Sequence, residues 1–342
     1  MVREVTSYRL YGQIMSQPDE IERVLNAEEP IPAAAELLGG AQRVFCVGTG
    51  TSTNAARTGA SMLRAAGADA VEWAAYDFAL YGPELREGDA AIVYSHSGRK
   101  RFSRDTLARL HDAKVPTVWV ASTEAEANEA DVIIRTVARE TSSAFTVSHT
   151  TAMLLTARIA DRIRPGSVGD LTAVPAAVKE AVGLEGEMNA LAEEWYAFES
   201  LIGVGAGPHE VSAHEVAIKV AEAARMRCRG YAAEQFLHGP QAQVRRGDPL
   251  MVFAGAGAAL ERSVTVAQFG LDVGLPVAWV SPVQGPLGST WLEVADVGEQ
   301  LAPIVEIIPG QWLAAHLAAL QDVDADNFRR DEFGTAYEKY GL

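Results

Sequence analysis

The amino-acid sequence predicts an α/β protein made of two tandem, doubly wound parallel sheets, each held between helices as a three-layer α/β/α unit. Three observations carry that expectation. Short, almost wholly apolar runs alternate with helical stretches, the pattern of strands covered on both faces. The alternation runs twice, interrupted by a Pro-Gly pair at 165–166 and an acidic helical stretch through about 195. Both halves open on an apolar strand ending in Gly-x-Gly, RVFCVGTG at 43–50 and SLIGVGAG at 200–207, as in a duplicated domain whose copies have diverged.

Taken in order, 43–50 is the first strand and the Ala-rich stretch 52–66 its helix. AIVYSHSG at 91–98 is a second buried strand, followed by a helix to about 113. PTVWVAS at 116–122 and DVIIRT at 131–136 are two further strands, and 148–163 reads as a long buried helix. In the second half a helix at about 209–227 follows the strand at 200–207. Strands at 249–255 and 276–282 and a helix near 310–320 complete that half. The expected organisation is a first domain over 1–165, a helical linker over 166–197, a second domain over 198–321, and a polar, aromatic tail over 322–342 that covers the active site.

With 342 residues the chain exceeds one domain and suits two of roughly 150. Hydrophobic residues make up 48% and charged residues 22%, enough for two cores. A formal net charge of −16 argues against a nucleic-acid partner and against anionic membrane surfaces. An anionic ligand must therefore be held by local donors. The two cysteines, Cys46 in an apolar run and Cys228 near a helix end, form neither a disulfide framework nor a metal motif, as expected in a reducing compartment. The segment MVREVTSYRLYGQIM lacks the apolar core of a leader, and no apolar run reaches a span of ~18–20 residues. A cytoplasmic, soluble protein is the expectation, with no metal and no cofactor.

Ligands of parallel α/β sheets bind beyond the carboxyl ends of the strands, where helix N-termini present free N–H groups. Two strand ends in the first half carry hydroxyls suited to phosphate oxygens. Gly50-Thr51-Ser52 opens one helix, and Ser95-His96-Ser97-Gly98 opens another. Such helix starts are commonly plain N-caps; two in one lobe strengthen the phosphate reading. No GxxxxGK[ST] loop and no complete GxGxxG with an acidic partner occurs.

On these residues the sequence resembles the sugar isomerase (SIS) domain family, and within it the isomerase half of glutamine:fructose-6-phosphate amidotransferase and the fructosamine-6-phosphate deglycases. Gly50-Thr51-Ser52-Thr53-Asn54 matches the family's first phosphosugar loop and Ser95-His96-Ser97-Gly98 its second. HEVAIKVAEAARMRCRGYAAEQFLHGP at 214–240 follows the pattern of a glutamate-bearing helix leading to a His-Gly-Pro loop. Gln17-Pro18, Ala302-Pro303-Ile304, Pro309, Gln311 and His316 match elsewhere. The resemblance implies phosphate binding by Thr51, Ser52, Ser95 and Ser97 with the loop amides of Gly50 and Gly98, and a proton-shuttling carboxylate at Glu222. It implies a ring-opening histidine at His238, sixteen residues on, reaching the site of a neighbouring subunit. The expected partners are a phosphorylated sugar and a second copy of the chain, as a homodimer or tetramer with the site shared between subunits.

The chain also departs from that pattern. It opens Met1-Val2, without the cysteine nucleophile of a glutaminase, so no glutaminase activity is expected. The C-terminal Schiff-base lysine has no counterpart, Lys339 standing out of line. Arg99-Lys100 replaces Glu-Thr after the second loop, with Arg101 and Arg104 behind it. Cations at a helix start oppose its dipole, so Arg99 and Lys100 are candidate ligands for phosphate or a second anionic group. Acid–base chemistry through Glu222 and His238 is then the expected route: an isomerase with deaminase or deglycase outcome on an amino-sugar or fructosamine 6-phosphate. Dehydration of an N-acylated amino-sugar 6-phosphate is the chemical alternative, and a non-catalytic phosphosugar sensor the alternative from another class. Glu215, Lys219, His149 and His316 are read as packing residues.

Overall fold

A computed structural model describes residues 3–126 and 129–340. Two helices, α1 (Arg9–Asn26) and α2 (Ile31–Gly39), precede the first sheet. The first unit then runs β1 (Arg43–Gly48), α3 (Thr51–Ala65), β2 (Ala70–Ala74), α4 (Ala75–Tyr81), β3 (Asp89–Tyr94), α5 (Arg101–Asp112), β4 (Thr117–Ala121), β5 (Val132–Arg135) and α6 (Val147–Ile163). Helices α7 (Val174–Val182) and α8 (Glu185–Trp195) connect it to the second unit. That unit runs β6 (Ser200–Gly205), α9 (Glu210–Ala223), β7 (Arg227–Ala232), α10 (Ala233–Leu237), β8 (Leu250–Phe253), α11 (Leu260–Asp272), β9 (Val277–Ser281), β10 (Thr290–Glu293) and α12 (Ala302–Leu320), with α13 (Arg330–Tyr340) last.

The strands form two five-stranded sheets ordered β2-β1-β3-β4-β5 and β10-β9-β8-β6-β7. Every pairing is parallel. Central strands β3, β4, β8 and β9 are buried at every position, as their continuous apolar runs require. The doubly wound, tandem architecture read from the sequence is the one observed.

Three strands escaped that reading. β2 and β10 are five and four residues long, at least partly exposed at all but one position each, and lie at sheet edges, so no apolar run marks them. β7, RCRGYA, falls inside the stretch assigned to a helix over 209–227; α9 stops at Ala223 and Arg225 takes a positive φ of 57° before the strand. It packs tightly on α9: a Cβ on Gly230 would lie 2.4 Å from the Ala213 carbonyl oxygen. The helix near 310–320 begins earlier, at Ala302, and continues through Pro309.

The duplication is visible in one turn made twice. Gly48 ends β1 and Gly205 ends β6, each followed two residues on by a glycine at positive φ, Gly50 at 61° and Gly207 at 59°. A Cβ on Gly48 would sit 2.1 Å from the Ser52 carbonyl oxygen, and one on Gly205 2.2 Å from that of His209. Only glycine lets the chain turn this tightly from strand into helix.

The two units do not keep separate cores. The largest apolar cluster runs from α1, α2 and the inner faces of both sheets through α6, α7 and α8 to α12. Each sheet's outer face carries its own smaller cluster. The linker helices belong to the shared core: Trp195 is buried, and Trp312 of α12 donates its indole N–H to the Val182 carbonyl at 3.0 Å. Gln17 and Gln311 meet inside it, Gln17 donating to Gln311 Oε1 at 2.7 Å and accepting from Thr150 at 2.9 Å. Helix α12 is long and apolar enough to cross a membrane by composition, but 94% of its apolar window is buried as the central helix of this core.

The tail is anchored rather than loose. The Asp326 carboxylate accepts from the Arg9 and Leu10 amides at 2.7 and 3.0 Å, capping α1, and Tyr8 donates to the Val323 carbonyl at 2.6 Å. α13 buries no residue; Arg225 ties it to the end of α9 through Glu332 at 3.2 Å and the Asn327 carbonyl at 3.3 Å.

Candidate functional site

In the first sheet the chain leaves β1 toward β2 and β3 toward β4, so the connections diverge between β1 and β3, where such sheets bind ligands. Thr51 and Ser52 at the start of α3, Ser95 and His96 beyond β3, Thr136, Phe145 and Ser148 meet there around a small cavity. Its volume of about 20 Å³ is room for about one water. Ser95 is buried, with its carbonyl accepting from the Trp119 indole at 3.1 Å. Burial, helped by Arg139, lowers the His96 pKa to about 4, so at neutral pH this ring is uncharged and offers hydrogen bonds only.

The expected phosphate residues divide. Thr51, Ser52, Ser95 and His96 share the small cavity, while Gly50 lies on an open groove between the units beside Asn54 and His214. Ser97, Gly98 and Arg99 line a different, larger groove with Arg104, Glu124 and Glu126. Ser97 Oγ accepts from the Arg99 amide at 3.3 Å, and Lys100, exposed at the start of α5, lines neither cavity. Arg99 and Arg104 thus line a groove apart from the cavity that Thr51, Ser52 and Ser95 share. The loop reverses at Gly98, whose φ is 65° and where a Cβ would meet the Trp119 ring at 2.7 Å, and this carries Arg99 to the far side. Arg101 turns back to Asp105 at 3.5 Å.

Helix α9 brings the second set of groups. Glu215, Lys219 and Glu222 stand at i, i+4 and i+7, one face of a helix. That face meets the start of α3. Thr51 donates to Glu215 Oε1 at 2.9 Å and Asn54 to Glu215 Oε2 at 2.7 Å, clamping the start of α3 to the second unit. Lys219 Nζ lies 3.5 Å from Glu215 and 2.6 Å from Glu222, with the lysine and Glu215 fully buried and Glu222 about a quarter exposed (26%). Glu140 faces the same lysine; its carboxylate accepts from the Thr146 and Ser148 amides at 2.9 and 2.8 Å. His149 is buried beside them and neither ring nitrogen is hydrogen-bonded.

Electrostatics within this cluster are strongly coupled. Burial pushes the Glu222 carboxyl up, Lys219 pulls it down, and Glu215 and Glu140 push it up again; the net direction is upward. Burial alone would lower the Lys219 ammonium, but Glu222 and Glu215 outweigh it and hold the charge on. Burial lowers His149, keeping that ring neutral. A carboxylate of raised basicity beside a fixed ammonium is the equipment of a proton-transfer site.

Glu215 and Lys219, read from the sequence as packing residues, therefore sit at the centre of the cluster, Glu215 anchoring the loop and Lys219 bridging the carboxylates. The signal was present: a lysine flanked by glutamates at i−4 and i+3 on an apolar helix face. His238 stands apart from these groups, 68% exposed, with Nε2 2.6 Å from Glu234, which in turn binds Arg262 at 2.6 Å. Among the described residues no group of His, Cys, Asp and Glu is arranged to hold a metal ion.

A tandem α/β protein with a hydroxyl-lined switch point facing a buried carboxylate–ammonium cluster is of the kind that handles small anionic metabolites. The chain contains a SIS domain: residues 37–160 match the SIS domain family. The glutamine–fructose-6-phosphate aminotransferase (isomerizing) of Zymomonas mobilis is 29% identical over 278 residues, 75% of this chain and 45% of that protein. The corresponding enzyme 1 of Arabidopsis thaliana is 30% identical over 313 residues, 84% and 46% of the two. The chain spans about half the length of these curated relatives. In fold it superposes on the C-terminal domain of glucosamine-fructose-6-phosphate aminotransferase from Francisella tularensis with a TM-score of 0.83 at 22% identity, covering 94% of this chain and 98% of that one. A glucosamine-6-phosphate deaminase from Thermotoga maritima superposes with a TM-score of 0.74 at 19% identity, covering 93% and 96%.

Proposed function

We propose that the protein is a cytoplasmic enzyme that isomerises a phosphorylated amino sugar or fructosamine by acid–base chemistry, with loss of the nitrogen substituent. The observation that carries this is the Lys219–Glu222 contact at 2.6 Å beside the hydroxyl-lined switch point. Named relatives that act on fructose 6-phosphate and glucosamine 6-phosphate support the substrate class.

In this reading Thr51, Ser52, Ser95 and the loop amides hold the phosphate, and the sugar extends toward α9. Glu222 takes the C2 proton of the open-chain 2-amino aldose and returns it to C1, so the product is a 2-imino ketose. Water adds to that imine and ammonia leaves; for a fructosamine the proton moves in the opposite sense and the amine leaves from C1. The Lys219 ammonium offsets the negative charge that collects on oxygen as the proton departs, and it holds Glu222 in place. His238 supplies ring opening to the site of a second copy, which makes a homodimer the working unit. The tail α13, tied to Arg225 three residues past Glu222, closes the site. Elimination of water from an N-acylated amino-sugar phosphate uses the same C2 proton and is separated from this reading by its product.

The test is incubation with glucosamine 6-phosphate, N-acetylglucosamine 6-phosphate, fructose 6-phosphate with ammonia, and several fructosamine 6-phosphates, with products followed by mass spectrometry. Turnover of one, abolished in Glu222→Gln, is expected. Tight binding without turnover, unchanged in that variant, leaves a phosphosugar sensor instead.

A further inference from the structure

The second sheet has a switch point too, between β6 and β8, and a cavity of about 220 Å³ lies over it. By strand position it is the counterpart of the phosphate pocket in the first sheet, reached through the twin of the same glycine turn. Its chemistry is reversed. Where the first pocket shows Thr51, Ser52 and Ser95, this one shows His209, Asp296, Glu299 and Glu306, and no lysine or arginine lines it.

The polar groups form a built arrangement. Glu306 is 1% exposed and both its oxygens are engaged, one with His209 Nδ1 at 2.8 Å and the other accepting from Ser212 Oγ at 2.5 Å. That contact orients the His209 ring and leaves Nε2 toward the cavity. His209 is 2% exposed, yet Nε2 has no hydrogen-bond partner; Glu299 Oε1 lies 4.0 Å from it, beyond bonding reach. The Asp296 carboxylate is taken up by the Gly298 amide at 2.9 Å. Two glycines keep the space open. A Cβ on Gly255 would lie 2.5 Å from His209 Nε2, and one on Gly257 2.1 Å from the Glu299 carboxylate. The remaining walls are apolar, among them Pro282, Val294 and Val305.

An unpaired buried imidazole nitrogen and an unpaired carboxylate 4.0 Å apart, in a pocket with an excess of negative charge, call for a donor that carries positive charge. Burial lowers the His209 pKa, but Glu306, Glu299 and Asp296 outweigh it and raise it, so Nε2–H is left to donate to a ligand hydroxyl while an ammonium group on the same ligand donates to Glu299. A phosphate would meet three carboxylates against a single imidazole. We propose that this cavity binds a small organic ammonium, an amino sugar without phosphate, at a site separate from the phosphosugar pocket.

The probe is unphosphorylated glucosamine, titrated calorimetrically into the full chain, with glucose as the same shape lacking the amine. Glucosamine is expected to bind and glucose not. Glu299→Gln, at a half-exposed side chain whose loss leaves the fold alone, weakens binding about tenfold, one lost charge-assisted bond. Gly255→Ala fills the space beside Nε2 and weakens it likewise, while Ser95→Ala, in the first sheet's pocket, leaves glucosamine binding unchanged. Failure of glucosamine to bind, equal binding of glucose, indifference to Glu299→Gln, or loss of binding in Ser95→Ala each overturns the proposal. Phosphosugar turnover in Glu299→Gln reads the first pocket separately, so the two conclusions stand or fall apart.

Discussion

Lys219 Nζ lies 2.6 Å from Glu222 Oε2 and 3.5 Å from Glu215 Oε1, so one buried ammonium joins a partly exposed carboxylate to the one that holds the start of α3. If Glu222 is the proton carrier, Glu222→Gln keeps the hydrogen-bonding shape and removes the base. kcat is expected to fall by about 10²–10⁴ with KM nearly unchanged. Steady-state kinetics with the substrate identified by product analysis reads this, and a loss confined to KM counts against the assignment.

Removing Lys219 leaves Glu215 and Glu222 facing each other in a buried site. Lys219→Met is therefore expected to destabilise the fold by about 3–5 kcal/mol, the cost of stranding a buried charge. Adding Glu222→Gln recovers part of that loss, because the stranded charge is gone. Urea unfolding of the two single variants and the double variant measures it; additive effects deny the coupling.

Ser52 and Ser95 share the proposed phosphate pocket, whereas Arg99 lies on the other groove. Ser52→Ala and Ser95→Ala should each raise KM for the phosphosugar about tenfold or more, one charged hydrogen bond apiece. Arg99→Ala should leave it within twofold of wild type, roughly the scale of a remote surface charge. A large Arg99 effect would return the basic cluster to the phosphate.

His238 is exposed and apart from Glu222 within one chain. If it completes the partner's site, Glu222→Gln and His238→Ala protomers are each inactive, and mixing them after mild dissociation restores activity in hybrid dimers. Continued inactivity of verified hybrids removes His238 from a shared site.

The His96 pKa is held at about 4 against 6.5 in the unfolded chain. Between those values the unfolded state binds a proton that the folded state refuses, so stability declines as pH falls from 6.5 toward about 4 and levels off below. His96→Gln, neutral throughout, should flatten that part of the curve. Urea midpoints measured across the range, with an unchanged slope in the variant, would assign the decline to other groups.

Much of this was legible along the chain. The apolar runs marked seven of the ten strands because a strand covered on both faces has no polar positions to disguise it. Edge strands β2 and β10 carry no such run, and β7, at the other edge, is polar enough to pass for the end of a helix. Thr51, Ser52 and Ser95 were legible from their places at strand ends. The direction of Arg99 was not, since it depends on a loop reversal at Gly98 packed against Trp119.

The sequence by itself determined the tandem parallel sheets, the twin Gly-x-Gly turns and the candidate phosphate hydroxyls, because each is written in local pattern and spacing. Only the tertiary structure decided that both units share one core, that Lys219 is buried between two carboxylates, and that the second switch point carries a histidine whose Nε2 has no hydrogen-bond partner. Burial and partnership make those differences. Thr51 and Asn54 of α3 reach Glu215 only when the two halves close on each other, and His209 meets a carboxylate 97 positions away only when the second unit folds.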